Sequence, residues 1–200
     1  MRLGVIGAVP RSLDELSPAA IANVREMGFA GTNLPSGDDP AVVTSERAAE
    51  VGRMFADAGV ELVEYGRHRT NLVSPDEAAR HEHIASLHEA FRVAKAAGCP
   101  AVVIGSGSLN SKGGAFPHPE NRSPATRDRL VASLREASGA AEDAGVLLGI
   151  EGHVVRPLYD AASMRAIVDA VDSKALRVQL DPVNWLTGTR SLTGSKGNFR

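Results

Sequence analysis

The chain has 200 residues, long enough for one sizeable domain with a core of its own; 43% are apolar, 23% are charged, and the net charge is -2. That balance excludes a basic stripe of the kind that grips nucleic acid, and it excludes an acidic solvating segment. The single cysteine, Cys99, excludes an internal disulfide and fits a reducing compartment, so a cytoplasmic protein is expected.

The first apolar run, "RLGVIGAV" (2–9), reads as a buried strand. It is too short and too broken by glycine for a signal peptide or a membrane span, so no membrane partner is expected. "LSPAAIANVREMG" (16–28) follows as a helix, with Ser17 as N-cap, Pro18 in the first turn and Gly28 as the stop. "AGTNLP" (30–35) is a second strand, "TSERAAEVGRMFADAG" (44–59) a second helix ending on Gly59, and "VELVEYG" (60–66) a third strand. The third helix, 74–98, opens on Ser74, Pro75, Asp76 and Glu77, which give a cap, a proline and an acidic first turn. Its apolar stripe is Ile84, Leu87, Phe91 and Ala94, and its histidines (His81, His83, His88) lack metal-binding spacing and are expected to face solvent.

"PAVVIGSG" (100–107) is the fourth strand, with Cys99 packed at its start. The fourth helix, 123–145, turns Leu130, Leu134, Ala137 and Ala141 inward. "VLLGIEGHV" (146–154) is the fifth strand, 160–173 a fifth helix, and "ALRVQLDPVNWL" (175–186) a sixth strand. Strands alternating with helices imply βαβ units and a parallel sheet. No GxGxxG follows the first strand, so a dinucleotide fold is disfavoured. The expectation is an α/β fold of (β/α) TIM-barrel type with about six of the eight βα units, over residues 1–186. Residues 187–200 are polar, lack apolar period and read as a disordered tail.

The chemistry is expected at strand ends. Glu151 closes the fifth strand, and Asp181 stands in "VQLDPVN" at the end of the sixth. Either alone is ordinary turn chemistry, but a matched pair on neighbouring barrel strands can share one hard divalent ion. His153 lies on the same face as Glu151 by strand alternation, and Asn184 can reach a substrate hydroxyl or bond its own backbone. The long loop 107–123 reads as a binding loop or a surface loop, with Asn110 and His118 as substrate contacts. Arg67, His68, Arg69 and Asn71 form a basic rim after the third strand, open to a phosphate or a sugar.

"GIEGHVVRP", then "LRVQLDPVNWL" a helix later, with "GRHRTNLVSPDEAAR" upstream, resembles the xylose-isomerase-like TIM barrels. This is the family of sugar (phosphate) isomerases and epimerases. The likeness spans residues 2–186 and implies a metal-dependent isomerase or epimerase acting through an enediolate. It implies Glu151 as metal ligand and catalytic base and Asp181 as second ligand, with Mn2+ as the first choice and Mg2+, Co2+ or Zn2+ as alternatives. The family's remaining ligands, a histidine and a glutamate from the seventh and eighth strands, have no counterpart, so a C-terminally truncated barrel is expected. Several members carry histidine where this chain has Asn184. A non-catalytic fragment and an endonuclease-type DNA repair relative are the alternative readings. The expected partner is a small sugar or sugar phosphate rather than nucleic acid, with a homo-oligomer left open.

Overall fold

Helix boundaries follow their caps in the computed structural model, which describes residues 2–185. Ser17 accepts from the backbone N–H of Ala20 and starts α1 (Pro18–Glu26), and Thr44 accepts from Arg47 to start α2 (Ser45–Asp57). α3 (Glu77–Ala97) begins later than expected. Its cap is Asp76, whose carboxylate accepts from Ala78 and Ala79, while Ser74 is buried in the preceding loop. Ser123 caps α4 (Pro124–Ala144), and Asp160 caps α5 (Ala161–Val171) through a reciprocal pair of bonds with Ser163. Gly98 and Gly145 close α3 and α4 in the left-handed conformation, at φ of 70° in each case, a region that costs glycine nothing.

Between the helices run β1 (Gly4–Val5), β2 (Gly31–Leu34), β3 (Glu61–Gly66), β4 (Ala101–Gly105), β5 (Leu147–Glu151) and β6 (Leu176–Gln179). They form one sheet in the order β1-β2-β3-β4-β5-β6, and every pairing is parallel. Among the described residues five βα units and a sixth strand, in sequence order, make an open arc of the TIM-barrel type expected. The first strand is much shorter than its apolar run suggested, because as an edge it pairs only through Gly4 and Val5. Residues 187–200, read above as a disordered tail, lie outside the described residues.

The core lies between the convex face of the sheet and the helices. Val102, Ile104, Leu148 and Ile150 are fully buried there against Ile84, Leu87, Phe91, Leu130 and Leu134. Cys99 packs with them, and burial pushes its thiol up to about 12, as suits a packing residue and not a nucleophile. Of the three histidines on α3, His81 and His88 are exposed as expected. His83 is half-buried beside Arg67 and Arg69, and desolvation lowers its pKa. Among the described residues no helix is long and apolar enough to cross a membrane.

Candidate active site

Glu151 is the last residue of β5. In the parallel ladder it stands in register with Gly105 of β4 on one side and Gln179 of β6 on the other. Neighbours in register direct their side chains to the same face. Leu147 and Gly149 precede Glu151 on that face and line a groove of about 430 Å³ with Gly4, Val63, Ala101 and Val103. The row Gly105, Glu151, Gln179 therefore sits on the concave side of the arc, at the carboxyl ends of the strands.

Glu64 of β3 completes the row from across the hollow. Gln179 donates from Nε2 to Glu64 Oε2 at 3.2 Å, a bond that only a strongly curled sheet allows between β6 and β3. Glu64 is 8% exposed. Burial raises its pKa and the nearby charge of Glu151 acts the same way, whereas His68 and the Gln179 bond pull it down. Nothing in the sequence reading singled out Glu64 or Gln179. The available signal was the second carboxylate of "VELVEYG", which stands inside the strand where Glu61 stands at its start.

The loop after β5 is held in place from both sides. Val154 donates its N–H to the carbonyl of Asn184, Asn121 donates to the carbonyl of Val155, and Arg122 to that of Val154. Arg122 also stacks on Tyr159 at 4.1 Å. His153 is half-buried in this loop; its N–H donates to Leu158 and its Nδ1 accepts from Val155, which leaves Nε2 for other partners. Burial and the charge of Arg156 lower its pKa, against the opposing charges of Glu151 and Asp181, so the imidazole is neutral at pH 7. Asp181 lies two residues beyond β6 and opens a 3₁₀ turn, Pro182–Trp185, where its Oδ1 accepts from Val183.

Three glycines at this end of the sheet make room for side chains from the loops. A Cβ on Gly66 would meet the His68 ring, one on Gly152 would meet Trp185 Nε1 at 2.8 Å, and one on Gly105 would overlap the Arg156 guanidinium. Glu151 and Asp181 lie near enough to His153 for both charges to act on it, and Asn184 meets the same loop through its backbone carbonyl. The other three candidates serve the loops. Asn110 bonds Pro117 and Lys112, and His118 caps its own 3₁₀ turn by accepting from Glu120. Arg67 donates to the carbonyls of Ser36 and Asp38 in a separate cleft of about 510 Å³, lined also by Arg11 and His83.

Glu151 and Asp181 are carboxylates without an ion pair among the described residues, the donor chemistry that a hard divalent cation prefers. Among the described residues no group of three or more His, Cys, Asp or Glu side chains is placed to hold a metal ion. The donor set fits a cation of the Mg2+ or Mn2+ kind, which is bound through one or two carboxylates and keeps water or substrate oxygens. It does not fit a closed structural zinc site, which takes four protein ligands, thiolate or imidazole for the most part.

The family model for the xylose isomerase-like TIM barrel matches residues 21–193. The chain belongs to that family. Its fold is similar to D-psicose 3-epimerase from Clostridium cellulolyticum H10, solved with D-tagatose, at 17% identity and a TM-score of 0.72 over 89% of this chain and 62% of that one. It is also similar to 3-keto-D-glucoside 4-epimerase from E. coli, at 17% identity and a TM-score of 0.70 over 89% of this chain and 67% of that one. A xylose isomerase-like TIM barrel protein from Mycobacterium smegmatis, solved in complex with magnesium, shares 19% identity at a TM-score of 0.65 over 90% of this chain and 64% of that one. The chain thus spans roughly two thirds of the length of these family structures. No curated protein sequence matches it.

Proposed function

We propose that this chain bears part of the active site of a divalent-metal-dependent isomerase or epimerase, one that moves a proton beside the carbonyl of a ketose or related sugar. The observation that carries this reading is the convergence of Glu151, His153 and Asp181 at the carboxyl ends of β5 and β6, where both carboxylate charges act on one imidazole. The solved sugar epimerases of similar fold and the magnesium-bound family structure support it.

Glu151 and Asp181 would hold the ion, Mn2+ by first preference, with Mg2+, Co2+ and Zn2+ as alternatives. When bound, the ion polarises the sugar carbonyl and stabilises the enediolate charge. Glu151 takes the proton from the adjacent carbon on a carboxylate oxygen and returns it, a contribution typically worth 10²–10⁴-fold. Neutral His153 offers Nε2 to a substrate hydroxyl, and Asn184 offers its amide to another. Asn110 and His118 shape the loop over the mouth.

The test is solvent exchange. The protein is incubated in D₂O with each cation and a panel of ketoses, keto sugars and sugar phosphates, and deuterium beside the carbonyl is read by NMR. Incorporation that disappears in Glu151→Gln is expected; its absence for every sugar at saturating metal overturns the proposal. A second reading, a folded chain without turnover, is favoured by the lack of a third side-chain ligand among the described residues. The same measurement decides between them.

A further inference from the structure

Arg156 follows β5 by five residues and lies over Gly105, the residue in register with Glu151. The side chain is half-buried, and its Nε is fully enclosed without a hydrogen-bond partner among the described residues. The other half-buried arginines behave differently. Arg92 bonds Glu89, Ser45, Pro40 and Val43; Arg80 bonds Glu77 and Ser133; Arg47 bonds Glu50 and Leu13; Arg67 bonds Ser36 and Asp38; Arg129 bonds Ser74 and pairs with Glu77. Each of those forks is satisfied by the fold. The Arg156 fork makes neither a hydrogen bond nor an ion pair with a described residue, although the charge of Glu151 lies close by.

A guanidinium with an enclosed, unpartnered Nε is costly, and its two terminal nitrogens stay open toward the mouth, so a fold keeps such a group for a ligand that completes it. Its planar fork matches the two oxygens of a carboxylate or a phosphate, where a neutral hydroxyl leaves the charge uncompensated. Gly105 is part of the same arrangement, since any side chain there would displace the guanidinium from the mouth. The backbone before Arg156 is fixed by the Asn121–Val155 and Arg122–Val154 bonds, and the His153–Leu158 bond spans the turn that carries it, so the fork is presented without further ordering of the loop.

We propose that Arg156 is a substrate-binding residue that takes an oxyanion on the sugar, so that the substrate is a sugar phosphate or a sugar acid and not a neutral sugar. This inference deepens the isomerase or epimerase reading by naming the substrate class. It sets this chain apart from the relatives named for D-psicose, a neutral sugar.

Calorimetric titration in the presence of Mn2+ tests it with three six-carbon probes: D-fructose, D-fructose 6-phosphate and 5-keto-D-gluconate. One anionic probe is expected to bind about ten- to a hundredfold tighter than D-fructose, the gain typical of a hydrogen-bonded charge, and which of the two does so identifies the source of the oxyanion. Arg156→Gln should erase that preference, so that the anionic probe binds no tighter than D-fructose does to the same variant. Arg156→Lys, which keeps the charge and loses the fork, should retain only part of it and guards against misfolding of the first variant. Equal affinities for the three probes, no binding of any, or an intact preference in Arg156→Gln overturns the proposal. Binding is measured apart from turnover, so an anion preference without deuterium exchange would refute the isomerase reading and leave the Arg156 assignment standing.

Discussion

The two faces of the sheet have been built for opposite ends from the same strands. On β5, Leu148 and Ile150 turn to the convex side and are fully buried, whereas Leu147 on the concave side is 38% exposed and Glu151 closes that row. The helices cover only one face, so packing free energy accumulates there. The other face collects groups that a core does not tolerate: Glu64, Glu151, Gln179 and the Arg156 fork. Stability and chemistry are thereby separable residue by residue along one strand. Adjacent positions can be changed to ask which of the two is lost.

The largest expected effect is on the concave side. Glu151→Gln preserves shape and removes the base, so deuterium exchange should fall by about 10²–10⁴-fold with an unchanged melting curve. A melting point that falls together with the activity would show that Glu151 is structural. Next comes Leu148→Ala on the convex side, which leaves a cavity against the helices and should cost about 2–5 kcal/mol in denaturant unfolding. Its neighbour Leu147→Ala removes the same atoms from the open groove and should cost less than about 1 kcal/mol. Similar losses for the two leucines would erase the contrast between the faces.

The smallest effect is a pH dependence. Burial raises the folded-state pKa of Glu64 above its ordinary value of 4.5, so the folded protein holds that proton more tightly than the unfolded chain. Its contribution to stability is therefore complete below about pH 4.5 and is lost as pH rises through the raised value. Glu64→Gln should melt modestly higher than the parent at pH 7, and the two curves should converge on acidification. A gap that stays constant between pH 7 and pH 4.5 would mean that Glu64 is not held under strain by burial.

Much of this was legible in the sequence where the cause is local. Helix starts at Ser17 and the stops at Gly28, Gly98 and Gly145 depend on groups within one turn of the chain. The stripe Ile84, Leu87, Phe91, Ala94 follows from helical period alone. Glu151 and Asp181 stood out because a charge at the end of an apolar strand is visible without knowing its neighbours. Glu64, Gln179 and Arg156 were missed because each takes its meaning from a distant contact: Gln179 on Glu64 across the arc, and Arg156 over Gly105. In β3 the alternation was further blurred by the register shift of β2 between Thr32 and Asn33. The loop candidates Asn110 and His118 show the converse, since polar loop residues are as easily used by the loop itself.

The indole of Trp185 rests against Gly152, one residue from Glu151, and it is the only tryptophan in the chain. The molecule therefore carries its own fluorophore at the mouth, and every photon of indole emission comes from that one place. Its Nε1 is enclosed without a hydrogen-bond partner among the described residues, so the ring senses the polarity of the pocket directly instead of bulk water. Entry of a cation or a sugar beside Glu151 can be followed as a change in emission wavelength, with no label and no engineered reporter, under excitation that selects the indole over Tyr65 and Tyr159.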